Sequence, residues 1–152
     1  MENERNHVFT EIEINATPEN VWEVLTDWDK LKEWSSSFIG ISTDQLILGE
    51  EFISYFKNPL GGSPFELKHI CTEYEEGRKF GWSGSIVGKV HDHHIYSIEP
   101  LKNGKTLFSQ EDGLHGKHSK FLNWLAEHKM IPMYKKFNQE LKERVETLFP
   151  QD

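Results

Sequence analysis

Three histidines in the run Val90-His91-Asp92-His93-His94 make it the densest group of metal-ligating side chains in the chain. On a strand, successive side chains alternate faces, so His91 and His93 share one face and His94 takes the other. Two imidazoles at i and i+2 can reach one metal, but a closed zinc site takes four ligands and a catalytic one usually three. No cysteine pair and no HExxH helix supplies the rest. Exposed or hydrogen-bonded histidines are therefore expected, with adventitious metal binding by His91, His93 and His94 left open and no resident metal or cofactor.

A second grouping sets His94 against Glu111, which alternates with Leu107 and Ser109 along a later strand. Buried together, an imidazole and a carboxyl shift each other's pKa and can polarise a carbonyl or move a proton, as acid and base. The alternative for Glu111 is a solvated edge carboxylate within Gln110-Glu111-Asp112. Ser109 lacks a recognisable nucleophile turn, and Cys71, the one cysteine, reads as a small buried apolar residue. His115 and His118 flank the start of the last helix beside Lys117 and Lys120, and His128 falls on its apolar stripe as a core or rim residue.

The elements that must carry these residues are legible from periodicity. His7 to Ile14 puts Val8, Ile12 and Ile14 on one parity and Glu11 and Glu13 on the other, the pattern of a half-buried strand. Thr17-Pro18 then starts a helix carrying Val21, Trp22 and Leu25, and a second short helix spans about Asp29 to Trp34 before Ser35, Ser36 and Ser37 break it. Strands are expected over Phe38 to Thr43, Glu51 to Lys57, Phe65 to Glu75, Lys79 to Ser85, Val90 to Pro100 and Lys105 to Asp112. Asn103-Gly104 suits a two-residue hairpin turn, and Asn58 to Pro64 is a loose loop suited to a flap over an opening. From Phe121 to Leu148 apolar residues recur every three or four positions, one long amphipathic helix in which Pro132 forces a kink or break near Met130.

At 152 residues the chain fits one domain, residues 1–152, with a single core. Net charge −8 and the lack of a basic stripe disfavour nucleic-acid binding. The first residues lack a signal-peptide core and no window is apolar enough to span a bilayer, so a soluble cytoplasmic protein without membrane insertion is expected. Ten Phe, five Trp and four Tyr dominate the apolar set. Phe52 and Phe56, Trp82, Tyr96 and Phe108 fall on strand faces, and Phe121 and Trp124 on the last helix, so bulky rings are expected to line a concave space as well as fill a core.

Ile14-Asn15-Ala16-Thr17-Pro18-Glu19-Asn20-Val21-Trp22, then Leu25-Thr26-Asp27-Trp28 and Glu33-Trp34, resemble the opening of START-like (Bet v 1-like, helix-grip) proteins of the bacterial polyketide cyclase/dehydrase type. Gly49, Phe52, Trp82, His94-Ile95-Tyr96, Gly104-Lys105-Thr106 and Glu111 to Gly116 echo later landmarks of that family. The resemblance implies an α+β helix-grip fold, a curved antiparallel sheet of about seven strands wrapped around a long C-terminal helix. It also implies an internal cavity for a hydrophobic small molecule, lipid, sterol or polyketide-like, held by Trp34, Phe52, Phe56, Phe65, Trp82, His94, Tyr96, Phe108, Glu111, Phe121, Trp124, Leu125 and His128. In the family His94 and Tyr96 correspond to a pocket-facing pair, and Glu111 to a carboxylate near the pocket. Two alternatives stay open: a cyclase, dehydratase or hydrolase using His94 and Glu111, and an interaction module like the Hsp90 co-chaperone activators. A monomer or a homodimer fits equally.

Overall fold

Alternation along the first strand places Val8, Thr10 and Ile14 inside, and it forms β1 (His7–Ile14) of the computed structural model, which describes residues 7–87, 90–115 and 119–151. Thr17 accepts the Asn20 N–H at 3.3 Å and Pro18 occupies the first helical position, opening α1 (Pro18–Leu25) as its sequence dictates. A 3₁₀ turn, Trp28–Lys30, leads into the single turn α2 (Leu31–Trp34). The strands are β2 (Phe38–Ile41), β3 (Glu51–Phe56), β4 (Phe65–Glu75), β5 (Lys79–Val87), β6 (Val90–Pro100) and β7 (Thr106–His115). They form one antiparallel sheet in the order β1-β7-β6-β5-β4-β3-β2.

The seven-stranded sheet and terminal helix are the α+β helix-grip architecture that the sequence led us to expect. Register shifts at Phe38/Gly40, Cys71/Glu73 and Ser85/Val87 add local bends that curve the sheet. The hairpin at Asn103-Gly104 is longer than the two-residue turn expected: Leu101 and Lys105 pair across it, and Gly104 takes φ +80°, open to glycine without steric cost.

The C-terminal segment departs most from its periodicity. It begins as α3 (Ser119–Leu125), widens into a π-helical turn over Ala126–Met130 and continues as α4 (Ile131–Leu148). Pro132 has no N–H to close an ordinary turn, and the Ile131 N–H bonds back to the Ala126 carbonyl, five residues away. The wider turn keeps every fourth residue, Leu122, Ala126, Met130 and Tyr134, on one buried line. Phe121 and Trp124, expected to face the strands, are therefore turned to solvent, 49% and 47% exposed. They stack on each other, and Trp124 stacks on the exposed His128, whose ring meets the Trp124 carbonyl. No helix among the described residues is long and apolar enough to cross a membrane.

Two apolar clusters fill the space between sheet and helices. The larger joins Trp22, Trp28, Phe38, Phe80, Trp82, Tyr96, Phe108 and Phe137. The smaller gathers Val8 and Leu114 against the buried line of α3, the π turn and α4, with half-buried Leu125 at its margin.

Candidate functional site

Across the concave face of the sheet runs a band of buried polar side chains: Ser54 on β3, His69 on β4, Asp92 and His94 on β6, Gln110 and Asp112 on β7, and Thr10 on β1. Tyr134 and Asn138 of α4 cover one end of it. Strand register explains the company these residues keep. Antiparallel pairing sets His94 opposite Asp112 and Tyr96 opposite Gln110, so each pair shares a face.

Gln110 organises the first half of the band. Its amide donates to Asn138 Oδ1 at 2.6 Å and to the Tyr134 carbonyl at 3.4 Å, while its Oε1 lies 2.9 Å from His94 Nε2. Asn138 in turn donates to Thr10 Oγ1 at 3.0 Å. With both its hydrogens committed, Gln110 accepts from His94, whose Nε2 must carry a hydrogen. Burial lowers the His94 pKa to about 4, against the opposing pull of Asp92 and the Gln110 bond, so the ring is neutral. It stacks on Tyr96, with centroids 4.2 Å apart, and lies against Tyr134.

Asp112 is fully buried, its Oδ2 accepting the Tyr134 hydroxyl. Burial, reinforced by the charge of Asp92, raises its pKa to about 8, against the opposing hydrogen bonds of the Tyr134 hydroxyl and the His93 and Gly113 N–H groups. Its Oδ1 closes no hydrogen bond of good geometry among the described residues.

The second half joins three strands around a gap. Ser54 Oγ and His69 Nδ1 are 2.9 Å apart, and His69 Nε2 lies 3.5 Å from Asp92 Oδ1, to which the Gly84 N–H donates at 3.1 Å. Gly84 sits between His69 and Asp92 in the register, and a Cβ there would come within 2.6 Å of the His69 ring and 2.5 Å of the Lys68 carbonyl. The missing side chain lets the two neighbours meet.

Glu111 does not join this band. Odd-numbered residues of β7 face outward, and Glu111 is exposed, bonded at 3.0 Å to His7. The expected His94–Glu111 acid–base pair is thus corrected: the carboxyl that faces His94 is the next residue, Asp112, with its Oδ2 3.8 Å from His94 Nδ1. The sequence reading also passed over Gln110, Tyr134 and Asn138 as site residues, although Gln110 and Asp112 share the parity of Phe108.

An apolar pocket of about 450 Å³ is lined by Ser36, Ser37, Phe56, Lys57, Pro59, Phe65, Pro132, Met133 and Lys136. Pro59, from the loop read as a flap, belongs to its wall. Ser54 lies two residues from Phe56 on the same face of β3, and Tyr134 follows Met133, so the pocket wall and the band share elements. Of the expected ligand contacts, Phe56 and Phe65 line this pocket. Phe52, Trp82, Tyr96 and Phe108 are buried; Phe52 and Tyr96 both pack on Trp82, and Tyr96 on Phe108. Trp34 packs on Phe137 and borders separate clefts with Arg144. Among the described residues no group of three or more His, Cys, Asp or Glu is placed to hold a metal. His91 is exposed, His93 meets Thr72 on the outer face, and His118 and Lys117 lie outside the described residues.

Residues 5–146 match the family described as polyketide cyclase / dehydrase and lipid transport. Solved structures with the same fold include a START superfamily protein from Mycobacterium smegmatis, 15% identical over 93% of this chain and 98% of that one, with a TM-score of 0.69. A hypothetical protein from Helicobacter pylori superposes with a TM-score of 0.74 at 16% identity, covering 93% of this chain and 88% of its own. A protein of unknown function from Staphylococcus aureus covers 95% of this chain and 97% of its own, at 17% identity and a TM-score of 0.69. Comparison with curated proteins gives no match.

Proposed function

The chain belongs to the polyketide cyclase / dehydrase and lipid transport family, and from that premise we propose that it binds a hydrophobic small molecule whose apolar body enters at the open pocket. The observation that carries this reading is the apolar pocket walled by Phe56, Phe65, Pro132 and Met133. Phe56, Pro132 and Met133 stand on β3 and α4, the elements that also carry Ser54 and Tyr134 of the buried polar row. Pockets for small molecules combine apolar walls with a few polar groups that orient the ligand. The rings of Trp82, Tyr96 and Phe108 support the band from behind as packed core, while Phe56 and Phe65 make the ligand contacts.

Displacement of an environment-sensitive apolar dye by fatty acids, sterols and aromatic polyketides, together with native mass spectrometry of the purified protein, tests the proposal. Saturable displacement by at least one class, weakened by Phe56→Asp at the pocket wall, is the expected result. Dye that neither binds nor is displaced, with no co-purified mass, would contradict it.

A further inference from the structure

The charge at the apolar pocket runs against that of the chain. Its two charged lining residues are both cationic, Lys57 just after β3 and Lys136 on α4, and no carboxylate lines it. The chain as a whole carries 25 Asp and Glu against 17 Lys and Arg. Neither ammonium has an ion-pair partner among the described residues. The carboxylate best spaced to neutralise Lys136 is Glu140, one helical turn further along α4. Its Oε1 is taken instead by the Ser36 N–H at 3.2 Å and the Ser36 hydroxyl at 3.1 Å. On the opposite wall the Lys57 N–H donates to the Ser37 carbonyl at 2.9 Å, and Phe56 pairs with Phe65 across the sheet, so the backbone that carries Lys57 is fixed.

Both lysines are exposed, and a lysine in that position lays its methylene stem along apolar surface while its ammonium stays at the water's edge. Two such groups at one mouth repel each other, and an anion between them turns that repulsion into attraction. We infer that Lys57 and Lys136 hold the head of the ligand, which is therefore an amphiphile with one anionic end, its apolar body lying against Phe56, Phe65 and Met133. The inference rests on the ligand-binding reading above and narrows it. A neutral sterol or ester gains nothing from the two cations. Ammonium groups act as point charges and read the sign of a head group more than its shape, so charge defines the class.

The test compares cis-parinarate, a fluorescent chain ending in a carboxylate, with its methyl ester, which keeps the chain and loses the charge. At about pH 8, where a carboxyl in water is ionised, the anion should bind roughly fivefold to tenfold tighter, as two exposed ion pairs supply. Replacing both lysines, Lys57→Met with Lys136→Met, should bring the anion down to the affinity of the ester and leave the ester unchanged. Lys57→Arg with Lys136→Arg keeps both charges and should keep the preference. So should Lys135→Met, exposed on α4 but outside the pocket lining, which separates a local head-group site from the effect of net charge. Equal binding of the two probes by the wild type overturns the inference while leaving the ligand-binding reading in place. The same holds for a preference that survives the double methionine substitution, or one that falls as far in Lys135→Met. Binding of neither probe overturns both. If the double methionine variant does not fold, salt decides: added sodium chloride should narrow the gap between anion and ester in the wild type, and an unchanged gap overturns the inference.

Discussion

Phe80, Trp82 and Tyr96 are buried on the same concave face as Ser54, His69, His94 and Asp112, and to nearly the same degree. The rings make stacked, tilted and edge contacts with several neighbours each: Phe80 meets Trp22, Trp28, Trp82 and Tyr96. Dispersion and burial have little directional demand, so a cluster of that kind closes on itself. Hydrogen bonds do not spread their strain in that way. Every donor in the polar band needs one acceptor at one angle, and one oxygen of the band, Asp112 Oδ1, closes no hydrogen bond of good geometry among the described residues. Equal burial therefore hides unequal completeness. The aromatic half is finished as it stands, and the polar half reads as half of an interface.

The largest effect is expected from emptying the finished half. Trp82→Ala should cost about 3–5 kcal/mol in urea unfolding, and a loss below about 1 kcal/mol would show that Trp82 lines a space after all. Within the band, Gln110→Leu removes the partners of His94 Nε2, Asn138 Oδ1 and the Tyr134 carbonyl, which should cost roughly 2–3 kcal/mol. Stabilisation instead would mean that the band is dispensable packing.

Stability should also depend on pH in a way that the aromatic half cannot produce. Asp112 stays protonated in the folded protein up to about pH 8, whereas an aspartate carboxyl in the unfolded chain ionises near 3.8. Between those values the unfolded chain has given up a proton that the folded one keeps, so stability falls as pH rises. His94 acts in the opposite sense: its pKa drops from 6.5 to about 4, and stability is lost as pH falls through that window. The two oppose each other below pH 6.5. Above it the Asp112 slope stands alone, a loss of roughly 2 kcal/mol by pH 8. Asp112→Asn should flatten that limb in a series of thermal melts, and an unchanged slope would assign it to another group. Gly84→Ala, which drives a Cβ into His69 and the Lys68 carbonyl, should cost about 1–3 kcal/mol. Glu111→Gln on the outer face should change stability by less than about 0.5 kcal/mol and leave ligand binding untouched.

Strands and α1 were legible because their signals are local: alternation from Val8 to Ile14 and a Thr-Pro helix start need no tertiary information. The placement of Glu111 was legible too, since it lies an odd number of residues from Phe108 and the two cannot share a strand face. Applying that parity leads from Phe108 to Gln110 and Asp112. The joining of Ser54, His69 and Asp92 was not legible, because it depends on register across four strands and on the absent side chain of Gly84. Nor was the outward turn of Phe121 and Trp124, since a stripe of three- and four-residue steps does not show that one turn will take a π form.

A crystal structure of the protein with a displacing fatty acid, sterol or aromatic polyketide bound would separate the finished half from the unfinished one most directly. The ligand's apolar body should lie against Phe56 and Met133, with the Trp82–Tyr96 packing unchanged. A ligand seated away from Phe56 and Met133, or one that parts the Trp82 and Tyr96 rings to enter, would contradict the division of roles.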